Sequence, residues 1–477
     1  MNGIGINTKR LRYCILVSRI FSCFCIAALF LASPSNGRSS EQAERKLSLA
    51  NCIEVALSNA TSAKKADYNL KLRGVDLLRR YGTFLPHLSS SVGYSPYTLR
   101  RSYTPGDTAL HETTTKSVDV ALTTSLNLFN GFSDYAALQS SLKLERASQY
   151  SLRRVVESVV FDVTQAYYQV LLNQELLAIA RENLLLAQDQ LTLTDRQYQI
   201  GLKSMIDRYL QQADASESAL SVIKAETRMQ RSMFELLRRL QVDPQTKITI
   251  APSADEMKVP LPSKLAIDSL AIIALERRND IKSKVLETDA ARWQVRETRA
   301  PWYPRVDLDF SLSTGGTEYL RHEYSSLPLS EQLNNSVGYS VGLNLSWALF
   351  DGFQTRYNVE SAKINQLNQQ LDYDDLKKSI VIDLQQSAAE YSSAFMQIET
   401  AKVSLKAARS AYEGIKRKYE LGAANFVELS TARATLFNAR SNLSQATYNL
   451  ALQKSVLDFT TGNIVIPYQP EFSPPLK

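Results

Sequence analysis

Histidine and cysteine are scarce in this chain, at three and four residues out of 477. His111 and His322 fall in polar stretches, and His87 sits beside Pro86. There is no HExxH motif, no glycine-rich phosphate loop and no Glu-x-x-His pair for a di-metal centre, so an enzyme is not indicated and no cofactor is expected. Cys14, Cys23 and Cys25 crowd into the leader, leaving Cys52 alone beyond it. That excludes an intrachain disulfide and a cysteine metal site from the processed chain. Long apolar runs are missing after Leu31, which excludes membrane-spanning helices from the body of the protein. Charge of one sign is also modest. The net charge is +7, and without Lys9, Arg10, Arg12 and Arg19 it is 7 − 4 = +3. The basic residues are scattered rather than striped, which argues against nucleic acid as a partner.

What is present begins with a basic start, the apolar stretch Ile20–Leu31 and small residues from Ala32 to Gly37. This order predicts a secretory signal peptide over 1–37, cleaved between about Ala32 and Arg38. A membrane anchor is the competing reading, but the apolar core is short for one. Cys23 and Cys25 precede most of that core, so a lipoprotein site is not expected.

The longest coherent pattern runs from Phe353 to Phe459, broken once at Gly422. Ile380, Leu384, Ser387, Tyr391, Ala394, Ile398, Ala401, Leu405, Ala408, Tyr412, Ile415 and Tyr419 recur at alternating steps of four and three. That spacing keeps one stripe of a helix against a partner helix. A second stripe follows from Leu429 to Leu457, so the segment reads as a helical hairpin with its tip near Gly422–Asn425. At 1.5 Å per residue the first arm would be roughly 100 Å long.

The same rod occurs twice. Subtracting 221 maps this seam onto Val159 through Tyr198, Leu349-Phe-Asp-Gly-Phe353 onto Leu128-Phe-Asn-Gly-Phe132, and Tyr419-Glu-Leu-Gly422 onto Tyr198-Gln-Ile-Gly201. An unchanged offset over such a span indicates two structural repeats. The expected organisation is therefore a signal peptide (1–37), a first repeat (38–243), a proline-rich linker (244–262), a second repeat (263–462) and a proline-rich tail (463–477).

Each repeat opens with two helices and then changes period at Phe84-Leu-Pro86 or Trp302-Tyr-Pro304. Apolar residues then alternate with small polar ones: Leu88, Val92 and Tyr94; Val118 to Leu128; Val306 to Leu312; and Val337 to Leu349. Leu99–Thr115 and Thr317–Asn335 read as polar loops between these strands. A soluble β sandwich would also alternate. Three features favour lipid on the apolar side: strands of about ten residues, a small polar opposite face, and the aromatics Phe129, Phe132, Trp302, Tyr303, Phe350 and Phe353 at strand ends, where membrane-interface residues sit. Four strands cannot close a barrel, and an open edge is not tolerated in hydrocarbon, so the barrel must be shared between chains.

Repeated strand–strand–hairpin halves, the Leu-Phe-Asn/Asp-Gly-Phe entries, and Tyr-x-x-Gly followed six residues later by an acid together resemble the TolC-like outer-membrane efflux proteins. The resemblance spans nearly all of the chain beyond the leader. It implies a mixed α and β membrane protein in a Gram-negative outer membrane, a homotrimer whose twelve-stranded barrel continues as a coiled-coil periplasmic tunnel. It also implies a passive exit duct of a tripartite efflux pump or type I secretion system. Its partners would be a periplasmic adaptor and an inner-membrane transporter of RND, ABC or MFS type, with outer-membrane lipid around the barrel.

The resemblance places a periplasmic gate at Asp207, Tyr419, Glu428 and Thr431. Tyr419 would hydrogen-bond to Asp207 in the closed state, and Glu428 would begin an acidic ring. Thr431 stands where the family's second ring acid is expected. Ala424 and Ile206 replace a further arginine–threonine link, so the closed state would be held differently. Adaptor contact is expected at the tips, Gly201, Leu202, Lys203 and Ser204 in the first hairpin and Gly422, Ala423, Ala424 and Asn425 in the second. Packing and helix-end chemistry are the competing explanations for the gate residues. A periplasmic coiled-coil scaffold or adaptor without a pore is the competing function.

Overall fold

The computed structural model describes residues 45–103, 110–245, 248–250, 266–320 and 327–466. The leader, most of the linker and the tail beyond Ile466 lie outside them. The elements described belong to one unit beginning at Lys46.

The first half contains α1 (Leu49–Asn59), α2 (Thr61–Gly82), β1 (His87–Tyr103), β2 (Leu110–Asn130), α3 (Ser133–Gln199) and α4 (Met205–Leu240). The second contains α5 (Ile267–Arg277), α6 (Asn279–Thr298), β3 (Arg305–Tyr319), the short α7 (Leu329–Asn335), β4 (Gly338–Ser346), α8 (Gln354–Glu420) and α9 (Phe426–Thr461). Both α3 and α8 have 67 residues, and both α4 and α9 have 36. An offset of 221 carries one pair of helices onto the other end to end. Among the described residues no helix is long and apolar enough to cross a membrane.

The seam predicted for α8 is its packed face: Ile380, Leu384, Ser387, Tyr391, Ala394, Ile398, Ala408 and Tyr419 are buried. Ile380 and Leu384 are fully enclosed, each worth roughly 1.5–3 kcal/mol in burial. The largest core gathers α1, α2, α3 and α4 around Tyr167, with Cys52 as a buried thiol within it.

The strand-to-helix entries explain the repeated Asn/Asp-Gly-Phe motif. Gly131 and Phe132 both have φ 64°, and Gly352 and Phe353 have φ 64° and 68°. Two successive left-handed residues turn the chain from strand to helix in one step, at a cost that only glycine avoids. The residue before each glycine caps the helix. Asn130 Oδ1 accepts from the Asp134 amide at 3.4 Å and Asn130 Nδ2 donates to Asp134 at 2.7 Å, while Asp351 accepts from the Thr355 amide at 2.8 Å. The second aromatic of each motif meets the first edge-on, Phe129 with Phe132 at 5.4 Å and Phe350 with Phe353 at 5.5 Å.

The sheet order is β1-β2-β3-β4, all antiparallel neighbours. One face carries the rows Val92–Val120–Thr314, Leu122–Leu312–Tyr339, Phe310–Val341 and Leu308–Leu343. The other carries Ser89–Thr123–Ser311–Ser340, Ser91–Ala121–Ser313–Gly338 and Asn127–Asp307–Asn344. The apolar face is open: Val92 is 74% exposed and Tyr339 80%.

Three sequence expectations are corrected here. The described parts of Leu99–Thr115 are strand rather than loop, because β1 runs to Tyr103 and β2 starts at Leu110, with pairs from Thr98↔Thr115 to Tyr103↔Leu110, while residues 104–109 lie outside the described residues. Threonine, tyrosine and the Arg101–Glu112 ion pair at 2.7 Å sustain the ladder where apolar alternation has stopped. The register shift between Ser95 and Thr98 falls at Pro96, which has no amide hydrogen for the ladder. In Thr317–Asn335, β3 continues to Tyr319 and residues Leu329–Asn335 form α7, while β4 ends at Ser346 rather than Leu349.

Candidate functional site

Both hairpin tips are built from the same parts. After α3, Gly201 takes φ 79°, its amide bonds to the Tyr198 carbonyl at 2.9 Å, and the Leu202 amide bonds to Gln197 at 2.8 Å. After α8, Gly422 takes φ 77°, with matching bonds to Tyr419 at 3.0 Å and from Ala423 to Lys418 at 2.7 Å. This glycine stop satisfies the last helical carbonyls and needs a left-handed residue. The next helix starts at Ser204 or Asn425, whose side chain accepts from the amide three residues on, Asp207 at 3.1 Å or Glu428 at 2.9 Å. Around these turns Ile200, Leu202, Ile206, Leu421 and Val427 are exposed.

The residues expected at a gate are placed as follows. Asp207 completes a capping box: its carboxylate accepts from Ser204 Oγ at 2.8 Å and from the Ser204 amide at 3.1 Å. Those bonds hold its carboxyl below the ordinary carboxylate range. Tyr419 is buried on the seam, and Lys203 Nζ stands 4.8 Å from its ring centre. The implied Tyr419–Asp207 hydrogen bond is not among those of the described residues. Lys203 links the first tip to Tyr419 instead, through a cation–π contact. Glu428 and Thr431 come together on α9, lining a 440 Å³ groove against Ala408, Ala411 and Ile415 of α8. Asn425 Nδ2 donates to Glu428 at 3.1 Å. Ala423, Ala424 and Asn425 complete the second tip between α8 and α9.

Contacts that sequence reasoning missed join the two hairpins further along. Arg433 of α9 pairs with Asp214 of α4, and Ser430 Oγ donates to the same carboxylate at 3.3 Å. Arg440 reaches Glu182 of α3 at 2.6 Å. The 221 offset could not reveal the first pair, because its counterparts are Gln212 and Thr435. The repeat exposes only what the halves share.

Of the aromatics expected at a membrane interface, Phe132, Trp302, Tyr303, Phe350 and Phe353 are exposed and Phe129 is half-buried at the sheet–helix junction. Trp347 Nε1 donates to the Trp302 carbonyl at 3.3 Å, tying β4's end to the entry of β3.

The sequence profile of the outer membrane efflux proteins matches residues 53–240 and 270–463, which take in both hairpins and all four strands. The chain belongs to the outer membrane efflux protein family. It is 28% identical to Protein CyaE of Bordetella pertussis over 399 residues, 83% of this chain and 79% of that one. It is 20% identical to outer membrane protein TolC of Escherichia coli over 309 residues, 65% of this chain and 62% of TolC. The crystal structure of CusC shares the fold, with a TM-score of 0.75 at 19% identity, covering 87% of this chain and 92% of that one. As a member of this family it is a protein of the outer membrane, and the exposed apolar face of its sheet is suited to lipid.

Proposed function

We propose that three copies of this chain form the exit duct of a tripartite efflux pump or type I secretion system. The observation that carries this reading is the four-stranded sheet, with one apolar exposed face, one small polar face and no partner within the described residues at the outer edges of β1 and β4. In hydrocarbon those edges must pair, and joining β1 of one copy to β4 of the next closes twelve strands around a polar lumen. The long hairpins then continue the lumen as a coiled-coil tunnel. Phe129, Phe132, Trp302, Tyr303, Phe350 and Phe353 sit at its membrane interface.

The tips Gly201–Ser204 and Gly422–Asn425 are the adaptor contact. Exposed Leu202, Ile206, Leu421 and Val427 support this, since clustered apolar side chains at a rod's end call for a protein partner. An inner-membrane transporter supplies the energy, and Asp207, Tyr419, Glu428 and Thr431 belong to the periplasmic gate. Protein extracted from outer membranes should run as one trimer-sized species, form elongated particles in electron micrographs and open pores in planar bilayers. Release by osmotic shock, or a uniform monomer that retains its β signal, would refute the duct and favour a periplasmic scaffold.

A further inference from the structure

We propose that Asp214, Arg433 and Ser430 form a clasp that sets how far the two hairpins of one chain can separate near their tips. For its pore readout the proposal rests on the exit-duct reading.

The clasp joins elements far apart in sequence: α4 of the first half and α9 of the second. The Arg433 side chain is 8% exposed and that of Asp214 17%, so the pair is largely shielded from solvent. Loss of one partner leaves the other charge buried without compensation, unlike the loss of a surface pair. Arg440–Glu182, farther along α9, is such a surface pair, with side chains 35% and 48% exposed. Lys203 over Tyr419 adds a single contact at the tip itself.

The packing beside the clasp explains why it matters. In the second hairpin, Ala408, Ile415, Leu429 and Ala432 make the interior near the tip apolar or small. In the first, the corresponding layer holds Thr194 and Gln211, both fully buried. Among the described residues, Thr194 Oγ1 and both amide atoms of Gln211 have no hydrogen-bond partner. Such a layer contributes little cohesion of its own. The arms of the first hairpin are therefore loosely packed one turn from Asp214, where the Arg208–Asp195 pair that joins them at 2.6 Å is 40% and 35% exposed, and the ion pair to α9 is the more shielded restraint near that height. A tether between hairpins limits the widest aperture that a ring of hairpins can reach. Removing it enlarges the range.

Spin labels at Leu202→Cys and Ala423→Cys, in trimers diluted with unlabelled copies, report the tip-to-tip distance within one chain. Arg433→Glu should broaden that distribution and shift it outward, and single-channel conductance should rise several-fold while trimer yield stays at the parent level. Arg433→Met, which keeps the length without the charge, should act in the same direction. The exchange Asp214→Arg with Arg433→Asp should restore the parent distance and conductance, which packing alone would not do. If no protein conducts, the parent included, the exit-duct reading fails and the label distance still decides the clasp. If distances in Arg433→Glu and Arg433→Met trimers match the parent, the clasp is refuted.

Discussion

Ser204→Ala isolates what Asp207 does at the first tip. In the parent, Ser204 Oγ accepts the Asp207 amide at 3.1 Å and donates to the Asp207 carboxylate at 2.8 Å, so the substitution removes two of the three bonds that start α4. Loss of a serine cap costs about 1 kcal/mol, which multiplies the opened population of the first turn roughly fivefold. Arg208 lies in that turn, held to Asp195 at 2.6 Å. Tryptic cleavage after Arg208 tracks the opened population when reclosing outpaces cleavage, so its rate should rise by about the same factor. Hydrogen exchange at the Asp207 amide should rise with it. Asp207→Ala should match Ser204→Ala if the acid is a cap, and Tyr419→Phe should leave both readouts alone. The sign with pH follows from the depressed Asp207 carboxyl. The carboxylate's contribution is complete above the ordinary value of 3.8 and is lost as pH falls through the lower folded-state value. Parent and Ser204→Ala should thus differ steadily near neutrality and differ less in strong acid, where only the bond from the Asp207 amide to Ser204 Oγ still separates them. Equal cleavage and exchange in the two proteins at neutral pH would refute the capping account.

Gly131→Ala should lower the yield and thermal stability of folded protein more than Gly352→Ala. Both glycines have φ 64°, but a Cβ at Gly131 would lie 2.5 Å from the Ala300 carbonyl, whereas nothing in the chain lies within 4 Å at Gly352; the added overpacking costs about 1–3 kcal/mol. Equal damage at both would point to a neighbouring copy at Gly352. Tyr419→Ala should speed acylation of the Lys203 amine, and Tyr419→Phe should not, because the ring rather than the hydroxyl faces Lys203; faster reaction in both would remove the cation–π contact from the account. Asp280 lies between Arg278 at 2.6 Å and Arg154 at 3.5 Å. Burial pushes its carboxyl up, and the two guanidiniums outweigh that and hold it low. Asp280→Ala should therefore destabilise by about 3–5 kcal/mol, read as a lowered melting temperature, and an unchanged melt would deny the cluster a stabilising role.

The long helices were legible because a stripe at steps of four and three runs unbroken from Ile380 to Tyr419 inside a 67-residue stretch without a proline, and such a pattern serves few structures besides a packed rod. The tips were legible for a local reason, since glycine at Gly201 and Gly422 and the side chains of Ser204 and Asn425 stop and restart a helix within a few residues. The strands were found where one face is apolar but lost in Leu99–Thr115, where backbone pairing continues between polar and charged side chains. Alternation reports burial in an apolar medium, not hydrogen bonding.

The sequence by itself determined the two-fold repeat, the four long arms, the strand faces and the family. Each of these depends on spacing along the chain, which periodicity records directly. The tertiary structure alone decided which side chains meet between hairpins. Lys203 reached Tyr419, and Asp214 found Arg433 across 219 positions. Those partnerships depend on the rotation and height of one helix against another. A shift of one residue rotates a side chain by about 100° around its helix, so no pattern within either segment can specify its partner in the other.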